Sequence, residues 1–202
     1  MKSRGCLIAA VVLGVLLLLA IGIIAWGVGV RNSIVTLDEA VTSSWAQVES
    51  QYQRRADLIP NLVETVKGFA NQEQDVLIGV TEARAKVSQM TVTKEVIDDP
   101  KAFAKFQASQ DQLSSALSRL LVVSENYPQL KSNENFMNLQ TQLEGTENRI
   151  TVERQRFNQT VQLYNTTIRR FPASMIAGFS GFKEHPYFQA KEGSENAPQV
   201  KF

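Results

Sequence analysis

Residues Cys6 to Val30 form a run of 25 positions without a charged or strongly polar side chain. A backbone placed in hydrocarbon has no water to bond to, so a single segment of this kind is stable there only as a helix. At 1.5 Å per residue the run measures about 37 Å, enough to cross a bilayer with some tilt. The competing reading, a cleaved signal peptide, calls for an apolar region of about 7 to 15 residues, well short of this one. An uncleaved transmembrane helix over residues 6–30 is therefore expected, behind a short N-terminal tail of residues 1–5. The amino terminus, Lys2 and Arg4 precede the span while only Arg31 follows closely. That bias favours a cytoplasmic tail and a folded domain outside the cytoplasm. Cys6 stands before the apolar run, whereas a lipidated cysteine would follow one, so it is expected to be buried near the membrane interface.

Beyond the span the pattern stays helical. Ile34, Leu37, Val41, Trp45, Val48 and Tyr52 advance 18 residues in five steps, the spacing of one apolar stripe on a straight helix. No glycine or proline interrupts this stripe after Gly29, so span and first helix read as one rod. Pro60 lacks an amide donor and pushes Ile59 out of helical geometry, while Asp57 can cap a new start. A tight turn around Asp57–Asn61 is expected. Leu62, Val66, Phe69, Glu73, Val76, Val80, Ala83 and Val87 then alternate spacings of four and three, a heptad seam with one charged member.

The periodicity lapses over Met90–Asp99, where Asp99 and Pro100 supply an N-cap and first-turn proline for a third helix. Its buried side runs through Phe103, Phe106, Leu113, Leu117, Leu120 and Val123, and Tyr127 before Pro128 closes it. After a connection over Gln129–Asn133, with Ser132 or Asn133 as cap, Phe136, Leu143, Ile150, Phe157, Tyr164 and Phe171 recur every seven residues until Pro172. The expected fold is all-α: the transmembrane helix, then an antiparallel up-down-up-down four-helix bundle over residues 31–172. Its helices are placed at about 31–57, 60–89, 100–127 and 133–171. An apolar aromatic segment over residues 173–190 and a flexible tail over residues 191–202 complete the chain.

Composition removes several functions. With 21 Lys and Arg against 20 Asp and Glu, there is no strong field to attract nucleic acid. One cysteine cannot form an intramolecular disulfide, and one histidine, His185, excludes a multi-histidine metal site. His185 stands beside Pro186 without an aspartate relay, Cys6 lies in the span, and no glycine-rich phosphate loop is present. Asn158-Gln-Thr160 and Asn165-Thr-Thr167 match a glycosylation pattern, but on a helix of period seven they read as solvated or hydrogen-bonding face residues. No catalytic group, metal or cofactor is expected.

Several motifs carry a resemblance. Trp45 with Gln47 and Val48, RRADLIPNLVETVKGF over Arg54–Phe69, TEAR over Thr81–Arg84 and NYPQLKSNENFMNLQ over Asn126–Gln140 are joined by LEGTENRI over Leu143–Ile150. Tyr164-Asn165 and FPASMIAGF over Phe171–Phe179 complete the set. Over about residues 32–188 the chain resembles the LemA family of membrane-anchored bacterial proteins. The resemblance implies an anchored antiparallel helical bundle in the bacterial cytoplasmic (inner) membrane and no particular biochemical activity. Arg31 stands where the family often has tyrosine, and Asn71 and Gln72 replace a more usual histidine-containing pair, which weakens any shared metal ligand.

Three groups of residues remain as candidate sites. Counting along the helices from Pro60 puts Glu73 in one interior layer with Ser44, Trp45, Gln110, Thr146, Glu147 and Arg149. The structural reading, a hydrogen-bonded network in which Trp45 and Arg149 serve the carboxylates and fix helix register, is preferred over a cation or proton site. A turn at Pro60 would put Arg54, Arg55, Asp57, Asn61, Tyr127 and Lys131 at the outer end, as a partner-binding tip or as two capped turns. Four helices that begin at the membrane must return to it, so Phe179, Phe182, Tyr187 and Phe188 would either sit at the bilayer interface or cover the bundle base. Together these favour a non-enzymatic scaffold, held in lipid by its N-terminal helix, that engages protein partners and can self-associate. The alternative is an ion or small-ligand sensor using the interior layer.

Overall fold

The computed structural model describes residues 2–90 and 94–190, with side chains from Val11 onward. Among the described residues the regular structure is entirely helical: α1 (Lys2–Phe69), α2 (Gln74–Ser88), α3 (Lys94–Asp98), α4 (Pro100–Ser124), α5 (Pro128–Lys131), α6 (Glu134–Arg169) and α7 (Ala173–Ser180). The chain forms two compact units, one from residues up to Ala40 with Gln162–Glu184, the other from Val41–Val161 with the segment from His185. The side chains of Lys2, Arg4 and Cys6 and the tail over residues 191–202 lie outside the described residues, and with them the expected burial of Cys6 and flexibility of the tail.

Pro60 does not end the first helix. The expected turn at Asp57–Asn61 does not form; α1 passes through the proline and runs on to Phe69. A proline inside a helix costs about 3 kcal/mol, because it donates no hydrogen bond and orphans the carbonyl four residues earlier. Here that carbonyl belongs to Ala56, and Arg84 of α2 donates its Nε–H to it at 3.0 Å. The proline ring itself is exposed, so water accommodates it on the face that packs nothing. The helix also starts at Lys2, where a separate N-terminal tail of residues 1–5 is expected from the sequence.

The chain instead reverses at Ala70–Glu73, where the Glu73 N–H donates to the Ala70 carbonyl at 3.1 Å. The expected seam is therefore divided: Leu62 and Val66 belong to α1, while Val76, Val80, Ala83 and Val87 belong to α2. The spacing of four and three carries across the turn by coincidence, and Phe69, inside the seam by counting, is exposed.

In the unit containing Val41–Val161, one core joins Ile59, Leu62 and Val66 of α1, Leu77, Val80 and Val87 of α2, Leu113, Leu117 and Leu120 of α4, Leu130 of α5, and Phe136 and Leu143 of α6. Each such side chain contributes about 1.5–3 kcal/mol on burial. The starts of α4 and α6 are set locally. The Asp99 carboxylate accepts from the Lys101 N–H at 2.9 Å with Pro100 in the first turn, and the Asn133 side chain accepts from the Phe136 N–H at 3.1 Å. Between α2 and α4, α3 buries Val96 and Ile97 in a stretch whose periodicity is too short to read.

Candidate functional site

The stripe that begins at Ile34 continues through Tyr52 and Arg55 to Ile59 and Leu62, so an uninterrupted α1 turns Arg55 inward. Its side chain is 1% exposed. One guanidinium nitrogen, Nη1, lies 2.7 Å from Glu147 Oε1 and 2.7 Å from Ser114 Oγ. The other, Nη2, donates to the Gln110 side-chain oxygen and approaches the Gln110 carbonyl at 3.4 Å. Tyr52, one turn earlier on α1, places its ring 5.1 Å from the guanidinium carbon. A planar fork that meets acceptors on two other helices at once ties α1, α4 and α6 into one register.

Glu147 is 39% exposed, so the pair reaches from the core to the surface. Beside it, Arg154 lies 3.9 Å from Asp111 and 4.4 Å above the Phe188 ring. Tyr52 is buried with no hydrogen-bond partner for its hydroxyl. Burial pushes its pKa up to about 12, against the opposing pull of Arg154 and Arg55.

The expected interior layer is thus replaced in part. Gln110 and Thr146 are buried and Glu147 takes part in the network, although the Thr146 hydroxyl turns back to the Gln142 carbonyl. Glu73 is not in that layer: it precedes α2 at the 70–73 turn, where it accepts a hydrogen bond from Tyr127 at 3.0 Å. That bond is the main cause that raises the Tyr127 pKa. Arg149, its expected partner, is exposed. Ser44 is half-buried and donates to the Val41 carbonyl. The physical reason is the displaced turn: counting from Pro60 shifts every level that follows.

The same displacement removes most of the expected tip. Arg54, Asp57 and Asn61 lie along an unbroken helix, exposed, and Arg55 is core. Tyr127 and Lys131 do belong to a chain reversal, the one between α4 and α6, and the Tyr127–Glu73 bond joins it to the 70–73 turn. Ser114, Tyr52, Asp111 and Arg154 belong to the network although the sequence reading does not include them. The available signal was the continuation of the stripe through Arg55, Ile59, Leu62 and Val66, which a turn at Pro60 hides.

Trp45 packs in an aromatic cluster, its ring centroid 5.8 Å from Phe103, 5.2 Å from Phe106, 5.5 Å from Phe157 and 6.0 Å from Phe188. Phe188 is 7% exposed, which removes it from the set of lipid-facing aromatics and assigns it to the core. Its segment is held by two side-chain amides that act as backbone partners. Asn158 donates to the Phe188 carbonyl at 3.0 Å and accepts from its N–H at 2.9 Å; Gln107 does the same for Gln189 at 2.9 and 3.2 Å. The Asn158 amide is thereby engaged. His185 is buried, its Nδ1 3.0 Å from the Ile97 carbonyl and 3.5 Å from Asp98, a carboxylate the sequence reading does not place beside it. Of the remaining aromatics, Phe179 is exposed, Phe182 half-buried and Tyr187 at the margin of exposure.

An apolar helix long enough to cross a membrane, continuous with a helical core stitched by a buried arginine, defines the class: an all-helical, membrane-associated protein. A model of the LemA family matches residues 44–202, and the chain belongs to that family. It is 25% identical to magnetosome protein MamQ of Magnetospirillum gryphiswaldense over 189 residues, 84% of this chain and 69% of that one. Magnetosome protein MamQ 2 of Paramagnetospirillum magneticum is 26% identical over 181 residues, 81% and 66% of the two chains. Protein LemA of Metamycoplasma hominis is 22% identical over 165 residues, 82% and 71% respectively.

Proposed function

We propose that the protein is a non-enzymatic, membrane-anchored helical scaffold of the bacterial cell envelope, with an antiparallel helical bundle that engages protein partners. The observation that carries this reading is α1 itself: one helix supplies both the apolar span and the core stripe through Val66, with no linker between them. The buried polar network supports the same reading, because the two terminal nitrogens of its central guanidinium already meet acceptors on two helices. The sensor reading loses ground for that reason: it relied on adjacent carboxylates around Glu73, and Glu73 lies at the turn.

Exposed apolar side chains near one chain reversal support a partner surface there. Phe69, Val122 and Met137 are exposed apolar side chains in the last turns of α1 and α4 and the first turn of α6, and Ile78 is exposed one turn into α2. Those turns meet at the end where Tyr127 bonds Glu73. Photo-crosslinking side chains placed at Ile78 and Met137, in intact membranes, should yield adducts with proteins, whereas the same groups at Arg54 and Asn61 should yield fewer. Recovery of uncrosslinked monomer alone from all four positions would overturn the reading, and adducts of the chain with itself would make self-association the scaffold's mode.

A further inference from the structure

α7 and the span belong to the same compact unit. Within it, Ile176 Cδ1 lies 3.6 Å from the point a side chain on Gly27 would occupy. Gly27 stands three residues before the end of the apolar run at Val30, and Trp26 beside it is 46% exposed. Whatever bilayer receives Val11–Val30 must therefore meet α7 at its surface. Ala177 is buried and Ile176 half-buried on the inner side, while Met175 is 55% and Phe179 89% exposed one turn apart on the outer side. Phe171, just before the helix, is 81% exposed. These are large apolar side chains left bare on an element otherwise well anchored: the Tyr164 hydroxyl donates to the Lys183 carbonyl at 3.0 Å just beyond it.

Exposed cations flank this face. Arg170 precedes it, Lys183 follows it, and Arg31 closes the span; Arg169 is also exposed and shared with Glu184 at 3.8 Å. Apolar and aromatic side chains at the acyl boundary with Lys and Arg at headgroup level are the two components of an interfacial helix. We propose that α7 dips into the headgroup layer of the bilayer that α1 crosses, with Phe171, Met175 and Phe179 entering the acyl boundary and Arg170 and Lys183 meeting anionic phospholipid headgroups. The site is a second attachment to lipid, set by the fold, and does not depend on the scaffold reading.

The test uses the full chain reconstituted in vesicles of phosphatidylcholine and phosphatidylglycerol. With Cys6→Ser as background, Phe179→Cys or Met175→Cys carries an environment-sensitive fluorophore, and Glu64→Cys on an exposed face of α1 serves as control. Both test positions should show blue-shifted emission, quenching by shallow nitroxide lipids and protection from aqueous iodide, and the control the reverse. Replacing phosphatidylglycerol by phosphatidylcholine should shift the labels toward water. Iodide quenching at 175 and 179 equal to the control overturns the proposal; so does protection from iodide without quenching by nitroxide lipid, which would mean that protein, a second copy included, covers the face. Helical circular dichroism matching the unlabelled chain establishes that each variant is folded.

Discussion

Arg55 shows how a single side chain can set helix register. Its two terminal nitrogens meet a carboxylate, a hydroxyl and an amide oxygen on α4 and α6, a geometry that depends on a planar fork. Arg55→Lys keeps the charge and loses the fork, so we expect a loss of about 2–3 kcal/mol in urea denaturation in detergent. An unchanged midpoint would show that charge alone suffices. Pro60 and Arg84 make a second pair. Pro60→Ala restores the missing N–H to the Ala56 carbonyl that Arg84 now serves, so Arg84→Ala should cost about 1 kcal/mol in the native background and measurably less in the Pro60→Ala background. A double-mutant cycle without coupling would break that link.

Tyr52 gives the pH dependence at the same scale. Its folded pKa is raised from 10.0 to about 12, so the folded state holds the proton more tightly than the unfolded chain. Stability from this group is complete below about pH 10 and is lost as pH rises through about 12, to a total of about 2–3 kcal/mol. Tyr52→Phe should flatten the stability profile between those limits. At neutral pH it should raise stability by about 1 kcal/mol, since it removes a buried hydroxyl without a partner. Denaturation midpoints measured across the alkaline range check both parts.

Among the elements, those bounded by side-chain caps were legible in the sequence. Asp99 with Pro100 marks the start of α4, and Ser132 or Asn133 that of α6, of which Asn133 supplies the cap, because the cap and the first turn are neighbours in the chain. The end of α1 was not legible. Pro60 is a strong local stop signal, and the guanidinium that offsets it comes from residue 84, beyond the reach of a local reading. The segment over residues 185–190 is a further case: its partners Gln107 and Asn158 lie 82 and 30 residues away. Asn158→Ala removes both bonds to Phe188, and Gln107→Ala both bonds to Gln189. Hydrogen exchange should accelerate at the Phe188 amide in the first variant and at the Gln189 amide in the second, with the amides of α6 little changed.

For the whole molecule, the C-terminal segment contributes to a core that the chain has otherwise finished building by Val161. Phe188 touches Trp45, Phe103 and Phe157, and His185 holds the Ile97 carbonyl. Truncation after Glu184 should therefore lower stability by about 3–5 kcal/mol, the usual cost of emptying a phenylalanine site. Thermal denaturation of the truncated chain in detergent measures it, and an unchanged midpoint would show that the aromatic cluster closes without Phe188. The family match beginning at residue 44 covers this core, while the apolar span precedes it.

What the sequence by itself determined was the set of properties carried by periodicity and composition. These are an apolar span, long amphipathic helices with their buried faces, and family membership carried by contiguous motifs. Each depends on residues within a few turns of one another, so local spacing is enough. Only the tertiary structure decided where α1 ends, and with it which charged side chain is buried: Arg55 in the core and Glu73 at a turn. Both outcomes depend on groups brought together from distant parts of the chain, Arg84 against Ala56 and Gln110, Ser114 and Glu147 against Arg55. A proline's cost or a buried charge's penalty is fixed locally, but the partner that offsets it is fixed only by the fold.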